Sequence, residues 1–222
     1  MYIVVDTETT GLDHNVDGIV EIAFVRKDET FEHSLCNPGI KISLEAMSVH
    51  HITDDMISNK IDTTEYLKSV FTNETSDDII VAHNAEFDRN FICKSLPEKA
   101  EINNWICTYR CALHLFPESP KHSNQFLRYW LQLNPKLPND LYPHRALYDA
   151  IVTESILNVM LHNNSIQELI KLSQSPVILN RVNFGKHRNC LWKDMPKDYL
   201  KWIVKQDDMN SDVIFTAKHY LN

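Results

Sequence analysis

The sequence predicts an α/β fold built on a mixed sheet. Strand-like runs crowd the first 35 residues, a short apolar run recurs at 78–82, and most of the remainder carries helical spacing. Residues 2–6 alternate around a β-branched run and read as the first strand. Residues 18–26 and 30–35 follow as the second and third, the latter closed by the turn residues Asn37, Pro38 and Gly39. Residues 43–48 and 54–57 read as short helices, and 63–71 as a longer one capped by Asp62 or Thr63. The continuous apolar run DIIVA at 78–82 suits a buried strand. A helix over 85–96 is stopped by Pro97, a fifth strand covers 104–108, and a helix then runs to about Leu115. Residues 123–133 and 145–162 predict two further helices. Between them, 134–143 holds Pro135, Pro138 and Pro143 and reads as a loop.

Composition narrows the function. The four glycines, Gly11, Gly18, Gly39 and Gly185, are too scattered for a G-x-G-x-x-G turn or a P-loop, so no nucleotide cofactor is expected. An apolar fraction of 43% marks a folded globular chain. No apolar run approaches the ~20 residues that span a bilayer, so no membrane partner is expected. The start MYIVVDTETTGLD lacks the basic flank and apolar stretch of an export signal, which predicts a cytoplasmic protein. Five cysteines without a C-x-x-C predict reduced thiols. Cys107, Cys111, His114 and His122 are close in sequence, but their spacing fits none of the usual zinc patterns and ordinary packing is expected.

The net charge of −8 is unevenly spread. Residues 1–180 carry 14 basic and 25 acidic side chains, whereas 181–222 carry 8 and 5. That change of sign, near Ser175 and Pro176, predicts a main domain over 1–175 and a small basic module over 176–222. The acidic body disfavours a large basic platform but leaves room for a partner held through metal ions.

Four carboxylates stand in unexpected places. Asp6 and Glu8 lie two apart at the end of the first strand, hence on one face and at the end where open α/β sheets place their sites. Asp88 shares a helical face with Ala85, Phe91 and Ile92, and Asp149 with Ala146, Thr153, Ile156 and Met160. A carboxylate in an apolar stripe is costly without compensating positive charge, and neither has a Lys or Arg placed locally. Bound cations resolve all four positions. An all-carboxylate set is hard and suits Mg²⁺ or Mn²⁺, two of which can serve phosphoryl displacement. His144, just ahead of the Asp149 helix, has the proton affinity to activate water near neutrality.

The segments DTETTGL (6–12), HNAEFD (83–88) and HRALYD (144–149) resemble, in order and spacing, the three motifs of the DEDDh 3′→5′ exonucleases. VEIA at 20–23 and AMSVHHIT at 46–53 also resemble epsilon-like members, which usually carry Gly in place of His51. WICT at 105–108 and HSNQFL at 122–127 resemble the exodeoxyribonuclease X-like branch. The resemblance covers about residues 1–165. It implies a ribonuclease H-like fold, a mixed five-stranded sheet flanked by helices. It further implies that Asp6, Glu8, Asp88 and Asp149 ligate two Mg²⁺ ions, with Mn²⁺ able to substitute, and that His144 deprotonates the attacking water. The 3′-terminal nucleotide is expected across Glu8 and the Thr9 backbone, with Thr10, Gly11 and Leu12 forming the loop beneath it. Leu12 is expected either to wedge beside the terminal base or to pack the loop down. His83 and Asn84 are expected to shape the site rather than perform chemistry.

The segment 183–206 resembles the C-terminal module of the exodeoxyribonuclease X-like branch, an F-G-K-x-[RK]-G start followed by a P-x-x-Y-L-x-W helix. This chain has Asn189 at the last glycine of that start. Basic side chains interleaved with aromatics suit nucleic acid, with Lys186 and Arg188 the expected phosphate contacts; the alternative is a small helix packed on the main domain with a solvated charged face. The expected activity is therefore metal-dependent 3′→5′ exonucleolysis of DNA, single-stranded or duplex, releasing nucleoside 5′-monophosphates from 3′ ends. An exoribonuclease of the same fold and a catalytically silent nucleic-acid-binding or polymerase-associated module are the alternatives.

Overall fold

A computed structural model describes residues 2–28, 30–71, 78–97 and 104–221. The first strand, β1 (Tyr2–Thr9), is central. It pairs antiparallel with β2 (Ile19–Arg26), which pairs antiparallel with β3 (Phe31–Leu35). On its other side β1 pairs parallel with β4 (Ile79–Ala82), and β4 with β5 (Trp105–Cys107), giving the order β3-β2-β1-β4-β5. This is the mixed five-stranded sheet expected. β1 runs three residues beyond the predicted 2–6, because Asp6, Thr7, Glu8 and Thr9 still pair with β2. The pairing to β4 covers only Tyr2, Ile3 and Val4, so Asp6 and Glu8 overhang the parallel half of the sheet.

The two faces of the sheet bury separate cores. Ile3, Val5, Ile22, Phe24 and Ile80 pack with Leu67 of α3 (Thr63–Val70) and with Phe91 and Ile92 of α4 (Ala85–Ser95). Tyr2, Val4, Ala23, Val81 and Ile106 pack on the opposite side. That side is covered by α5 (Thr108–Leu115), α6 (Asn124–Trp130), α7 (Ala146–Leu161) and α8 (Ile166–Gln174). Between β3 and α3 lie the short α1 (Leu44–His50) and α2 (Asp54–Ile57). Asp62 caps α3 by accepting from the Glu65 backbone N–H, while Thr63 donates its hydroxyl to the Ile19 carbonyl.

Three helices depart from expectation. α6 ends at Trp130 rather than at residue 133, because Gln132 takes a left-handed backbone conformation. α8 was not anticipated, although its capping box is written in the sequence: Ser165 accepts from the Glu168 N–H while Glu168 accepts from Ser165. The last helix, α10 (Ser211–Leu221), was likewise not anticipated. Among the described residues no helix is long and apolar enough to cross a membrane. The Cys107–His122 group serves packing, as expected: Cys111 Sγ lies 3.4 Å from the Leu169 carbonyl, and His122 Nε2 donates to the Phe116 carbonyl at 2.9 Å.

Val182, Trp192, Met195, Leu200, Ile203, Val213 and Ala217 form a core of their own. α9 (Lys197–Val204), α10 and short 3₁₀ turns at Gly185–His187 and Trp192–Asp194 surround it. Arg110 of α5 ties this cluster to the sheet and its helices. Its guanidinium donates to both carboxylate oxygens of Asp212, at 2.7 and 3.2 Å, and to the carbonyls of Ser173 and Ser175. Asn189 sits at φ 72, where a glycine would be unstrained and Asn is better tolerated than most residues.

Candidate active site

Strand periodicity sends Asp6 and Glu8 toward the same side as Tyr2 and Val4, and that side is covered by α7. Asp149, in the first turn of α7, meets them there. One carboxylate oxygen from each of Asp6, Glu8 and Asp149 lies within 4.8 Å of the others, the metal-capable group found among the described residues. Asp88 approaches from α4. It is buried, and its Oδ1 accepts from the Thr7 hydroxyl at 2.7 Å, on the opposite pleat of β1. His144 stands exposed two residues ahead of α7 at φ 65. Its backbone N–H donates to Asp149 Oδ2 at 2.9 Å, and the other oxygen accepts from Gln125 Nε2 at 2.6 Å. Asp6, Glu8 and Asp149 thus meet at the C-terminal end of the central strand, with Asp88 bonded to Thr7 of that strand and the His144 backbone bonded to Asp149.

Their electrostatics report a shortage of positive charge. Burial, then the carboxylates of Asp149, Glu21 and Asp88, push Glu8 up to about 9. Burial lifts Asp88 to about 7 against the pull of the Thr7 hydroxyl. Asp6 is driven well above the usual carboxylate range by burial and by Asp88, Asp149 and Glu8. Asp149 is raised chiefly by burial, opposed by the His144 N–H and by Gln125.

The β1–β2 loop is built around Asp17. Thr10 donates its hydroxyl to Asp17 Oδ1 at 2.8 Å and Asp13 N–H donates to Oδ2 at 3.0 Å. A Cβ on Gly11 would lie 2.4 Å from Asp17 Oδ2, which is why no side chain is tolerated there. Thr9 donates its hydroxyl to the Gly11 carbonyl. Leu12 is 86% exposed, which removes the reading that it packs the loop down. It borders a hollow of about 220 Å³ with Asn84 and Phe87. His83 is a fastener: Nε2 donates to the His122 carbonyl at 2.8 Å and Nδ1 lies 3.0 Å from the Thr108 hydroxyl. Burial pushes it down to about 4, so it stays neutral. Asn84 sets the entry to α4 with φ 69. Lys186 and Arg188 do not join this cluster. They lie in the C-terminal unit, Lys186 Nζ 6.0 Å from the Tyr199 ring centroid and Arg188 donating to the Asn183 carbonyl.

Four supporting residues escaped the sequence reading. Glu21 lies opposite Glu8 in the β1–β2 register, 1% exposed. It accepts from Arg145 at 2.5 and 2.9 Å and from the Ala146 N–H at 3.0 Å. Gln125 steadies Asp149. His50 donates from Nε2 to the Thr9 carbonyl at 3.2 Å and accepts from the Ile52 N–H, pinning the strand end to α1. Glu21, Gln125, His50 and Arg145 all fall inside the segments VEIA, HSNQFL, AMSVHHIT and HRALYD, so those segments were the available signal. His51 caps α1 in the left-handed region at φ 59.

A mixed five-stranded sheet with an acidic triad at the end of its central strand and a fourth carboxylate facing it from α4 is the architecture of a DEDDh exonuclease. Residues 3–157 match the RNase T exonuclease family model, and the chain belongs to that family. It is 33% identical over 229 residues to exodeoxyribonuclease 10 of Escherichia coli (strain K12), covering 98% of this chain and 97% of that one. It is 32% identical to the PolC-type DNA polymerase III of Bacillus subtilis (strain 168), over 72% of this chain but 11% of that one. A solved structure of exonuclease X in complex with 5′ overhanging duplex DNA aligns at TM-score 0.64 and 34% identity, over 78% of this chain and 99% of that chain.

Proposed function

We propose that this exonuclease hydrolyses DNA from the 3′ end, releasing nucleoside 5′-monophosphates, and that it works with two divalent cations. The observation that carries the reading is the convergence of Asp6, Glu8 and Asp149 within 4.8 Å, beside Asp88 and at the foot of His144. The donor set fits Mg²⁺ or Mn²⁺: every ligand is a carboxylate oxygen, and burial together with their mutual repulsion raises the pKa of Asp6 and Glu8, an excess of negative charge that Arg145 only partly offsets at Glu8. When bound, the ions supply charge stabilisation for the attacking and leaving oxygens of an in-line displacement. Asp6, Glu8, Asp88 and Asp149 hold them.

His144 takes the proton of the attacking water. Its left-handed backbone and N–H bond to Asp149 fix the root of a side chain that is otherwise open to solvent. The water oxygen adds to phosphorus and the P–O3′ bond breaks; O3′ stays on the shortened strand and takes a proton from solvent, and the terminal nucleotide leaves with its 5′-phosphate. Thr9, Thr10 and Gly11 form the bed for that nucleotide, and exposed Leu12 meets its base. DNA is favoured as substrate because the relative spanning nearly the whole chain is an exodeoxyribonuclease and the similar solved structure holds duplex DNA.

Purified chain with Mg²⁺ and 5′-labelled single-stranded DNA, duplex DNA and RNA tests this. Ladders shortening from the 3′ end on DNA are expected, with none from Asp6→Asn. His144→Ala should lower kcat by about 10²–10⁴. Products from RNA alone would move the assignment to ribonucleolysis, and none with Mg²⁺ or Mn²⁺ would overturn it.

A further inference from the structure

The C-terminal unit carries an exposed ring stack that no step above uses. Tyr199 and Trp202, one turn apart on α9, lie with ring centroids 5.6 Å apart and planes inclined by 18°. His187, from the preceding 3₁₀ turn, sits 4.5 Å from the Tyr199 centroid on a separate stretch of chain, its plane tilted by 56°. A stacked pair flanked by a third, tilted ring thus forms one cluster from two segments. Its outer member, Trp202, is 47% exposed, whereas the true core of the unit is built from other residues. An indole costs free energy when left in water at that level, and α9 already buries Leu200 and Ile203 to hold itself in place.

Charge accompanies the rings. Residues 181–206 carry seven Lys or Arg and two Asp, a net +5 in a chain whose total is −8. Lys186 overhangs the Tyr199 ring, and Lys205 lies one turn beyond Trp202. A stacked pair whose Trp202 is half exposed, edged by exposed cations, matches unpaired bases on a polyanionic backbone. We propose that the Tyr199–Trp202 pair, flanked by His187, is a second nucleic-acid contact, stacking a base of a single-stranded segment while Lys186 and Lys205 meet its phosphates. It rests on the nuclease reading only for the identity of the strand as substrate.

The test separates the two claims by measuring binding without hydrolysis. Full-length chain in EDTA is titrated against a fluorescent 20-mer of single-stranded DNA and a blunt duplex, across a salt series. Trp202→Ala should weaken single-strand binding about tenfold and duplex binding by less than twofold, and Trp202→Phe should retain most of the affinity. Lys186→Gln should reduce the slope of log Kd against log salt by about 0.7. Single-strand affinity within twofold of wild type in Trp202→Ala, an equal loss on duplex, or no measurable wild-type binding would each overturn the proposal. Hydrolysis with Mg²⁺, scored separately, reports on the nuclease reading alone.

Discussion

Arg145→Ala isolates the support beneath the carboxylate cluster. Glu21 is 1% exposed and accepts three hydrogen bonds, two of them from the Arg145 guanidinium. Removing Arg145 leaves a buried carboxylate with only the Ala146 N–H, directly opposite Glu8 in the sheet register. Breaking a buried ion pair by deleting one partner costs about 3–5 kcal/mol. The surviving N–H bond and the partial exposure of Arg145, 14% of its side chain, put the expected loss near the lower end, about 3 kcal/mol. For a chain of this size that is a Tm decrease of roughly 6–12 °C. Glu21→Gln in the Arg145→Ala background should restore part of the loss, because the orphaned charge is gone. Urea and thermal denaturation of wild type, both single variants and the double variant close the cycle. A single variant melting within 2 °C of wild type, or a double variant less stable than Arg145→Ala, would refute the reasoning.

Other outcomes follow from the same geometry. Without metal, stability should fall as pH rises from about 4 through 7 and on toward 9. Folded Asp88 and Glu8 hold protons up to about 7 and about 9, whereas the unfolded chain releases them near 4. Mn²⁺ should therefore raise Tm more at pH 8 than at pH 5, and an equal or absent increment in thermal melts would contradict this. Gly11→Ala should destabilise by about 1–2 kcal/mol and slow turnover, because the new Cβ displaces the Asp17 carboxylate from Thr10 and Asp13; urea melts and steady-state rates check both. Leu12→Ala should leave Tm unchanged, since the side chain is 86% exposed, yet slow hydrolysis of duplex ends relative to single strands. Equal rates on both substrates would end the wedge reading. Asn189→Ala should cost about 1 kcal/mol and Asn189→Gly nothing, as read from denaturation midpoints, because only the first strains the φ of 72.

Residue type and spacing alone pointed to the mixed sheet and singled out four misplaced carboxylates, of which Asp6, Glu8 and Asp149 meet in the fold. Period two put Asp6 and Glu8 on one face, and helical period put Asp88 and Asp149 in apolar stripes. Those are local regularities, and a carboxylate in the wrong stripe is visible before folding. The change of charge near Ser175 was legible for the same reason, being written along the chain. Tertiary structure decided what holds the site. Glu21 reads as an ordinary strand residue until Arg145, 124 positions away, supplies its bonds. Gln125 reads as the polar side of an amphipathic helix until it meets Asp149. His83 reads as a residue that shapes the site, and only the fold shows how: it holds the His122 carbonyl, and burial keeps it neutral. His187 meets the Tyr199 ring only because the turn at Gly185–His187 folds back against α9. Periodicity is carried by neighbours in the chain, whereas the compensation of a buried charge depends on whichever donor the fold brings within about 3 Å.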